Sequence, residues 1–192
     1  MKEKFLKWAE NVANHKNALR TLFWVSFAES SFSPFPAYFL ILFMLAHKVK
    51  YTWQKTAWIA TLGSIIGGLF GYAIGFYLFK YLGQPMVNFY HLQSQFDSFG
   101  ASLHNNQFFI LLVAAMTPIP FKITAIASGV FAINLPLFVA TAILGRGIKF
   151  VLVSFFTHKY GVKMKEALME SVWTSVITFL VICFLFYYFF FR

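Results

Sequence analysis

The chain has 192 residues, of which 59% are hydrophobic, 21% aromatic and only 11% charged, with a net charge of +10. A soluble domain carries roughly 25% charged residues, and 27 phenylalanines exceed what a core of this size can hide, so the composition points to an integral membrane protein rather than a soluble one. The basic residues cluster beside apolar runs, as in cytoplasmic loops, which argues against a nucleic-acid partner, and the single Cys183 excludes an intramolecular disulfide or a cysteine-based metal site.

Residues 1–20 are rich in Lys and Asn, and Phe5, Leu6, Trp8, Ala9, Val12 and Ala13 fall at helical spacing. They predict a basic amphipathic segment lying on the membrane surface, or equally a solvated tail that fixes orientation. No secretory-signal pattern is present, so the N-terminus is expected to be retained, on the cytoplasmic side.

Thr21 to Ala46 is apolar except around Glu29, Ser30, Ser31, Ser33, Pro34 and Pro36. A carboxylate in such a run is costly, by about 2.5–3.5 kcal/mol on insertion scales. Each proline lacks a backbone donor and clashes with the preceding turn, so two of them one residue apart exclude a regular helix. After Pro36 only about ten apolar residues remain, where a span needs about 20. The stretch therefore predicts a re-entrant helical hairpin with its tip at Pro34 and Pro36; broken backbone at membrane depth requires protein or a wet cavity around it.

Lys48, Lys50 and Lys55, with Trp53 and Trp58, mark an interface. Thr56 to Phe79 then predicts a spanning helix in which Gly63, Gly67, Gly71 and Gly75 form a small-residue stripe. Such a stripe lets a neighbouring helix approach closely; the alternative is the lining of a translocation path. Residues 81–106 form a polar connector, with a short surface helix expected over 84–99. Its His91 and His104 have no clustered ligand partners and read as interface residues rather than a metal site.

The second half repeats the first. An arm over Phe108–Met116 leads to Pro118 and Pro120, again one residue apart, with Lys122 close by; a second short arm ends near Asn134 and Pro136. Leu137 to Thr157 predicts a spanning helix carrying Gly145, Arg146, Gly147 and Lys149. A basic stretch and a last span over Ser171–Phe191 complete the chain. The divisions are thus 1–20, a membrane domain over 21–160 (halves 21–80 and 107–160 around the connector 81–106), and 161–192 with the C-terminal transmembrane helix.

Charge tests this topology. With both proline segments re-entrant, eleven of the 16 basic residues fall on the inner side, Lys80 and Arg192 on the outer side, and Lys122, Arg146 and Lys149 at membrane depth. Making only one hairpin a full span would split the lysine-rich segments across the membrane, against the positive-inside bias. One hairpin enters from inside and the other from outside, so the fold class is all-α integral membrane, an inverted repeat of two re-entrant hairpins each followed by a transmembrane helix. Inverted repeats with broken helices meeting near the midplane place binding sites at their tips in secondary transporters.

Of the six acids, Glu29 alone lies in an apolar region, and Lys122, Arg146 and Lys149 stand opposite it in charge. Arg146 and Lys149 are three apart and share a helix face. The functional reading is a titrating acid beside a cationic site for an anionic headgroup. The structural reading is a buried ion pair locking the halves together, with Lys122 and Lys149 snorkelling to an interface. No catalytic residue is expected: Ser30, Ser31 and Ser33 adjoin Glu29, but no histidine lies at membrane depth to act as base, and neither a metal cluster nor a cofactor motif is present.

Glu29 followed by Pro34-Phe35-Pro36, the run Gly63 to Gly75 with Gly71-Tyr72-Ala73-Ile74-Gly75, Pro118 through Ala127-Ser128-Gly129, and the Gly145-Arg146 helix together resemble the DedA, or SNARE-associated (VTT-domain), membrane proteins, in particular their YqaA-like branch. The resemblance covers roughly residues 20–160. It implies two re-entrant hairpins in an inverted repeat, a bacterial cytoplasmic (inner) membrane location, and movement of lipids such as undecaprenyl phosphate or phospholipids, with protons as a coupled partner. Better-known members carry a second acid just after the first Pro-x-Pro, where this chain has Ala37 and Tyr38. They also carry two arginines around the second loop's proline, where it has Ala115 and Phe121, with Lys122 one step beyond. The expected function is a lipid or lipid-phosphate flippase or scramblase. The alternatives are a small-ion or drug–proton antiporter and a non-catalytic membrane assembly factor, and a homo-oligomer is left open.

Overall fold

The structure is a computed structural model and describes residues 11–13, 15–33, 36–46, 51–116 and 120–161. Among them every regular element is helical. Helix α1 (Ala18–Ser31) has 14 residues and α2 (Ala37–Ala46) has 10. Helix α3 (Trp53–Leu78) has 26 residues and runs through a π-helical turn, Phe79–Gly83, into α4 (Gln84–Phe89). Then come α5 (Gln93–Asn105), α6 (Gln107–Met116), α7 (Phe121–Val130) and the 26-residue α8 (Leu135–Tyr160).

Length separates these helices into two kinds. At 1.5 Å per residue, α1, α2, α6 and α7 rise only about 15–21 Å, whereas α3 and α8 rise about 39 Å each, against a hydrocarbon core of about 30 Å. Among the described residues, two helices are accordingly long and apolar enough to cross a membrane, Trp53–Phe89 and Leu135–Tyr160. Both are longer than the expected 56–79 and 137–157. At α8 the reason is local: the Asn134 side chain accepts from the Leu137 N–H at 3.0 Å and Pro136 sits in the first turn, a favoured start that begins the helix before Leu137. The single surface helix expected over 84–99 is two helices, because His91 takes a left-handed φ of 55° and ends the first one. Residues 1–10 of the N-terminal segment expected over 1–20, Lys48, Lys50, Pro34, Pro118, Cys183 and the last span at 171–191 lie outside the described residues, while the end of that segment, from Ala18, already belongs to α1.

The two long helices pack on each other, and each also takes one short helix from either side of the connector. Helix α3 packs on α1 and α7, and α8 packs on α6 and α2. Two apolar cores result. One gathers Leu22 of α1, Leu40, Ile41 and Leu45 of α2, Ala60 of α3 and Phe150 of α8. The other gathers Leu111 and Ala115 of α6, Phe121 and Ala125 of α7, and Phe138 and Ala142 of α8.

The turn after α7 is closed by the Ile133 N–H donating to the Ser128 carbonyl at 2.9 Å, with Ala132 at φ 47°, a Schellman-type ending. Tyr72 Oη donates to the Ile133 carbonyl at 2.7 Å, which ties that turn to α3. The connector is anchored there too: Phe96 stacks on Phe79 at 4.9 Å and on Phe131 at 4.6 Å between ring centroids.

Candidate functional site

Glu29 lies in the last turn of α1, where the helix is about to stop. Its Oε1 accepts from Arg146 Nη2 at 2.8 Å, an ion pair in which the arginine is 3% exposed and the acid 15%. Its Oε2 accepts from the backbone N–H of Ala37 at 2.6 Å. Ala37 is the first residue of α2, so its amide is one of the donors a helix start leaves unpaired. The carboxylate thus bridges from the end of one broken helix to the start of the next, and its charge suits the positive end of α2.

Arg146 is held from three helices. Its Nε donates to Ser64 Oγ at 2.8 Å, and Ser64 Oγ is 2.7 Å from Ser30 Oγ, a chain running from α8 through α3 to α1. The guanidinium carbon lies 4.7 Å from the Phe150 ring centroid and 5.2 Å from that of Phe121. Each ring face offers a desolvated cation an attraction of about 2 kcal/mol. Removing a guanidinium and a carboxylate from water costs several kcal/mol per ion. The rings, the α2 amide and the Ser64 hydroxyl are what offset that cost here.

The other residues singled out in the sequence are placed as follows. Lys122, in the first turn of α7, does not reach the carboxylate. It is half-buried and its Nζ donates to the Ser33 carbonyl at 3.4 Å, so it joins the two proline-broken segments directly. Lys149 is half-buried one turn beyond Arg146 and makes no hydrogen bond or ion pair among the described residues. Pro36 directly precedes α2, and Pro120 directly precedes α7 with φ −58°. Along α3 a Cβ on Gly63 or Gly67 would run into the backbone carbonyls of Phe23 or Phe27 in α1, and one on Gly75 into that of Ile126 in α7. At Gly71, between the two, it would stand 3.2 Å from Ala125 Cβ. The absent side chains let α3 approach both short helices, and the Gly67 carbonyl also accepts from Ser31 Oγ at 3.0 Å.

Four participants escape the sequence reading: Ser64, the Ala37 amide, and the rings of Phe121 and Phe150. A serine inside a glycine-rich helix and two phenylalanines among many carry no local signal. Ala37 and Phe121 stand where the resemblance drawn from the sequence leads one to expect an acid and an arginine. At one the backbone donates to the acid, and at the other a ring covers the arginine.

Chemically, this arrangement can hold an anion or exchange one anion for another. Among the described residues no group of three or more His, Cys, Asp or Glu side chains is placed to hold a metal ion.

The VTT domain matches residues 34–159. An uncharacterized protein of Haemophilus influenzae is 28% identical over 187 residues, covering 92% of this chain and 91% of its own length. An uncharacterized HI0703 homolog of Histophilus somni is 30% identical over 184 residues, covering 94% and 93%. No solved structure matches the chain. With a domain match over well more than half its length, and with two helices among the described residues long and apolar enough to cross a membrane, this chain belongs to the VTT-domain (DedA) family of membrane proteins.

Proposed function

We propose that the protein is a translocator of anionic lipid headgroups, a flippase or scramblase for lipid phosphates such as undecaprenyl phosphate or for phospholipids, in a bacterial cytoplasmic membrane. The observation that carries this reading is the Glu29–Arg146 pair. Arg146 is 3% exposed, and it lies eleven residues into the 26-residue α8, as Ser64 lies eleven residues into the 26-residue α3. Both long helices therefore meet the pair close to their midpoints, at the depth where ionisable residues mark transport pathways. The arginine would neutralise the headgroup, the tails would stay in lipid, and Glu29 would exchange a proton as access alternates.

The re-entrant, inverted-repeat architecture belongs to the same proposal. Supporting it are four helices too short to span, the proline-containing breaks between them, and the reciprocal packing in which each long helix takes one short helix from either side of the connector. The Lys122–Ser33 contact supports tips that meet. Membrane lipids are the partners on this reading, and the protein is not an enzyme. Lys149 serves as a second cation of the site, and the lysine-rich ends lie in the cytoplasm with the N-terminus.

The test is lipid movement in proteoliposomes, with undecaprenyl phosphate compared with common phospholipids. Wild-type protein is expected to move at least one of them, and Glu29→Gln and Arg146→Gln to abolish movement at unchanged expression. Full activity of Glu29→Gln would remove the proton role. A pH-gradient response with no lipid movement would favour a small-ion or drug–proton antiporter using the same acid, and inactivity in both assays a non-catalytic assembly factor.

A further inference from the structure

We infer that the Glu29 carboxylate is the resident occupant of an anion site, and that a phosphate group binds there by displacing it. This rests on the reading of the chain as a translocator of anionic headgroups, and it says how that same site is loaded and emptied. Two independent donors converge on the two oxygens of one carboxylate: Arg146 Nη2 at 2.8 Å on Oε1, and the Ala37 N–H at 2.6 Å on Oε2. The second belongs to the start of a ten-residue helix, where unpaired amides and the helix dipole favour negative charge. A guanidinium beside such an amide is a donor set suited to the oxygens of a phosphate. Here the chain supplies those oxygens from its own acid.

Two further observations show the site underused by a single carboxylate. Of the guanidinium's three nitrogens, Nε goes to Ser64 and Nη2 to Glu29, and no described residue accepts from Nη1. Lys149 follows on the same helix, half-buried and likewise unbonded among the described residues. A phosphate brings more oxygens and up to one more charge than the carboxylate, enough to engage Nη1 and Lys149 as well. Two anions cannot share one guanidinium at hydrogen-bond distance without strong repulsion, so binding expels Glu29. The acid has room to leave: it is 15% exposed and stands in the last turn of α1, two residues before the helix ends at Ser31. When the phosphate departs, the carboxylate returns and keeps Arg146 from lying buried and uncompensated.

The experiment titrates the full-length protein in detergent micelles with farnesyl phosphate and, in a parallel arm, with inorganic phosphate, reading affinity by calorimetry. Removing the resident charge in Glu29→Gln is expected to tighten farnesyl phosphate binding by about tenfold or more, while Arg146→Gln loses it. The double variant Glu29→Gln/Arg146→Gln, which leaves no uncompensated charge, controls for folding and is expected not to bind. Glu29→Asp keeps the charge but is one methylene too short to span both donors, and is expected to bind with intermediate affinity. If Glu29→Gln cannot be purified, parity between Glu29→Asp and wild type overturns the inference. Equal or weaker binding by Glu29→Gln, with wild type still moving lipid in vesicles, overturns displacement and leaves the translocator reading standing. No binding by any form together with no lipid movement overturns both. A gain in the inorganic phosphate arm as well supports displacement with free phosphate as sufficient ligand; a gain with farnesyl phosphate alone supports it with the lipid as source.

Discussion

Ser64 and Arg146 hold the same position in two helices of equal length, and they touch. Ser64 Oγ accepts from Arg146 Nε at 2.8 Å while lying 2.7 Å from Ser30 Oγ. That hydroxyl fixes the plane of the guanidinium and so sets which nitrogen faces Glu29.

Ser64→Ala is therefore expected to leave Nε buried without an acceptor, at a cost of about 1–3 kcal/mol. Thermal unfolding in detergent should register the loss. Lipid movement should fall with it, although the Glu29–Arg146 ion pair itself is untouched. Ser64→Thr, which keeps the hydroxyl, should recover most of both, and an inactive but fully stable Ser64→Thr would argue against this positioning role.

Exchanging the charges in Glu29→Arg/Arg146→Glu is expected not to restore transport. A guanidinium at position 29 would face the Ala37 amide, a donor against a donor, at the positive end of α2. Restoration of full lipid movement by the swapped protein would mean that the pair only ties helices together.

The glycines of α3 should differ sharply when changed to alanine. Gly67→Ala and Gly75→Ala drive a Cβ into the backbone carbonyls of Phe27 and Ile126, and overpacking of this kind costs about 1–3 kcal/mol. Gly71→Ala meets a side chain at 3.2 Å and should cost less, and Gly147→Ala in α8, with its nearest neighbour at 3.8 Å, should be close to neutral. Unfolding midpoints for the four variants test the ranking, and equal effects at Gly67 and Gly147 would contradict it.

Ser26 and Ser154 are fully buried and their hydroxyls have no hydrogen-bond partner among the described residues. Truncating either removes an unsatisfied group rather than a bond, so Ser26→Ala and Ser154→Ala are expected to leave stability unchanged or raise it by up to about 1 kcal/mol. Chemical denaturation of the two variants provides the measurement. A loss of 2 kcal/mol or more in either would show that the hydroxyl is bonded, with buried water the first partner to seek.

Lys55 and Lys80 are exposed near opposite ends of the Trp53–Phe89 helix. In a Cys183→Ser background, Lys55→Cys is expected to react with an impermeant maleimide only from the cytoplasmic side and Lys80→Cys only from the other. Labelling of both from one side would refute the proposed topology.

By itself, the sequence determined the solvent and the helical character of this protein. Its scarcity of charge and wealth of phenylalanine point to lipid, the proline pairs predict interruptions in the apolar runs, and Glu29 and Arg146 stand out because each is an ionisable residue in an apolar stretch. Those are properties of local composition and spacing. Which cation meets Glu29 was decided only in three dimensions: Arg146, 117 positions away, and not Lys122, which goes to the Ser33 carbonyl, nor Lys149, one turn along. The same holds for Ser64 beneath the guanidinium, the Phe121 and Phe150 rings around it, and the Ala37 amide on the acid. Each depends on the rotation and register of helices far apart in the chain, which the glycine contacts of α3 set by close approach, and no local pattern encodes that register.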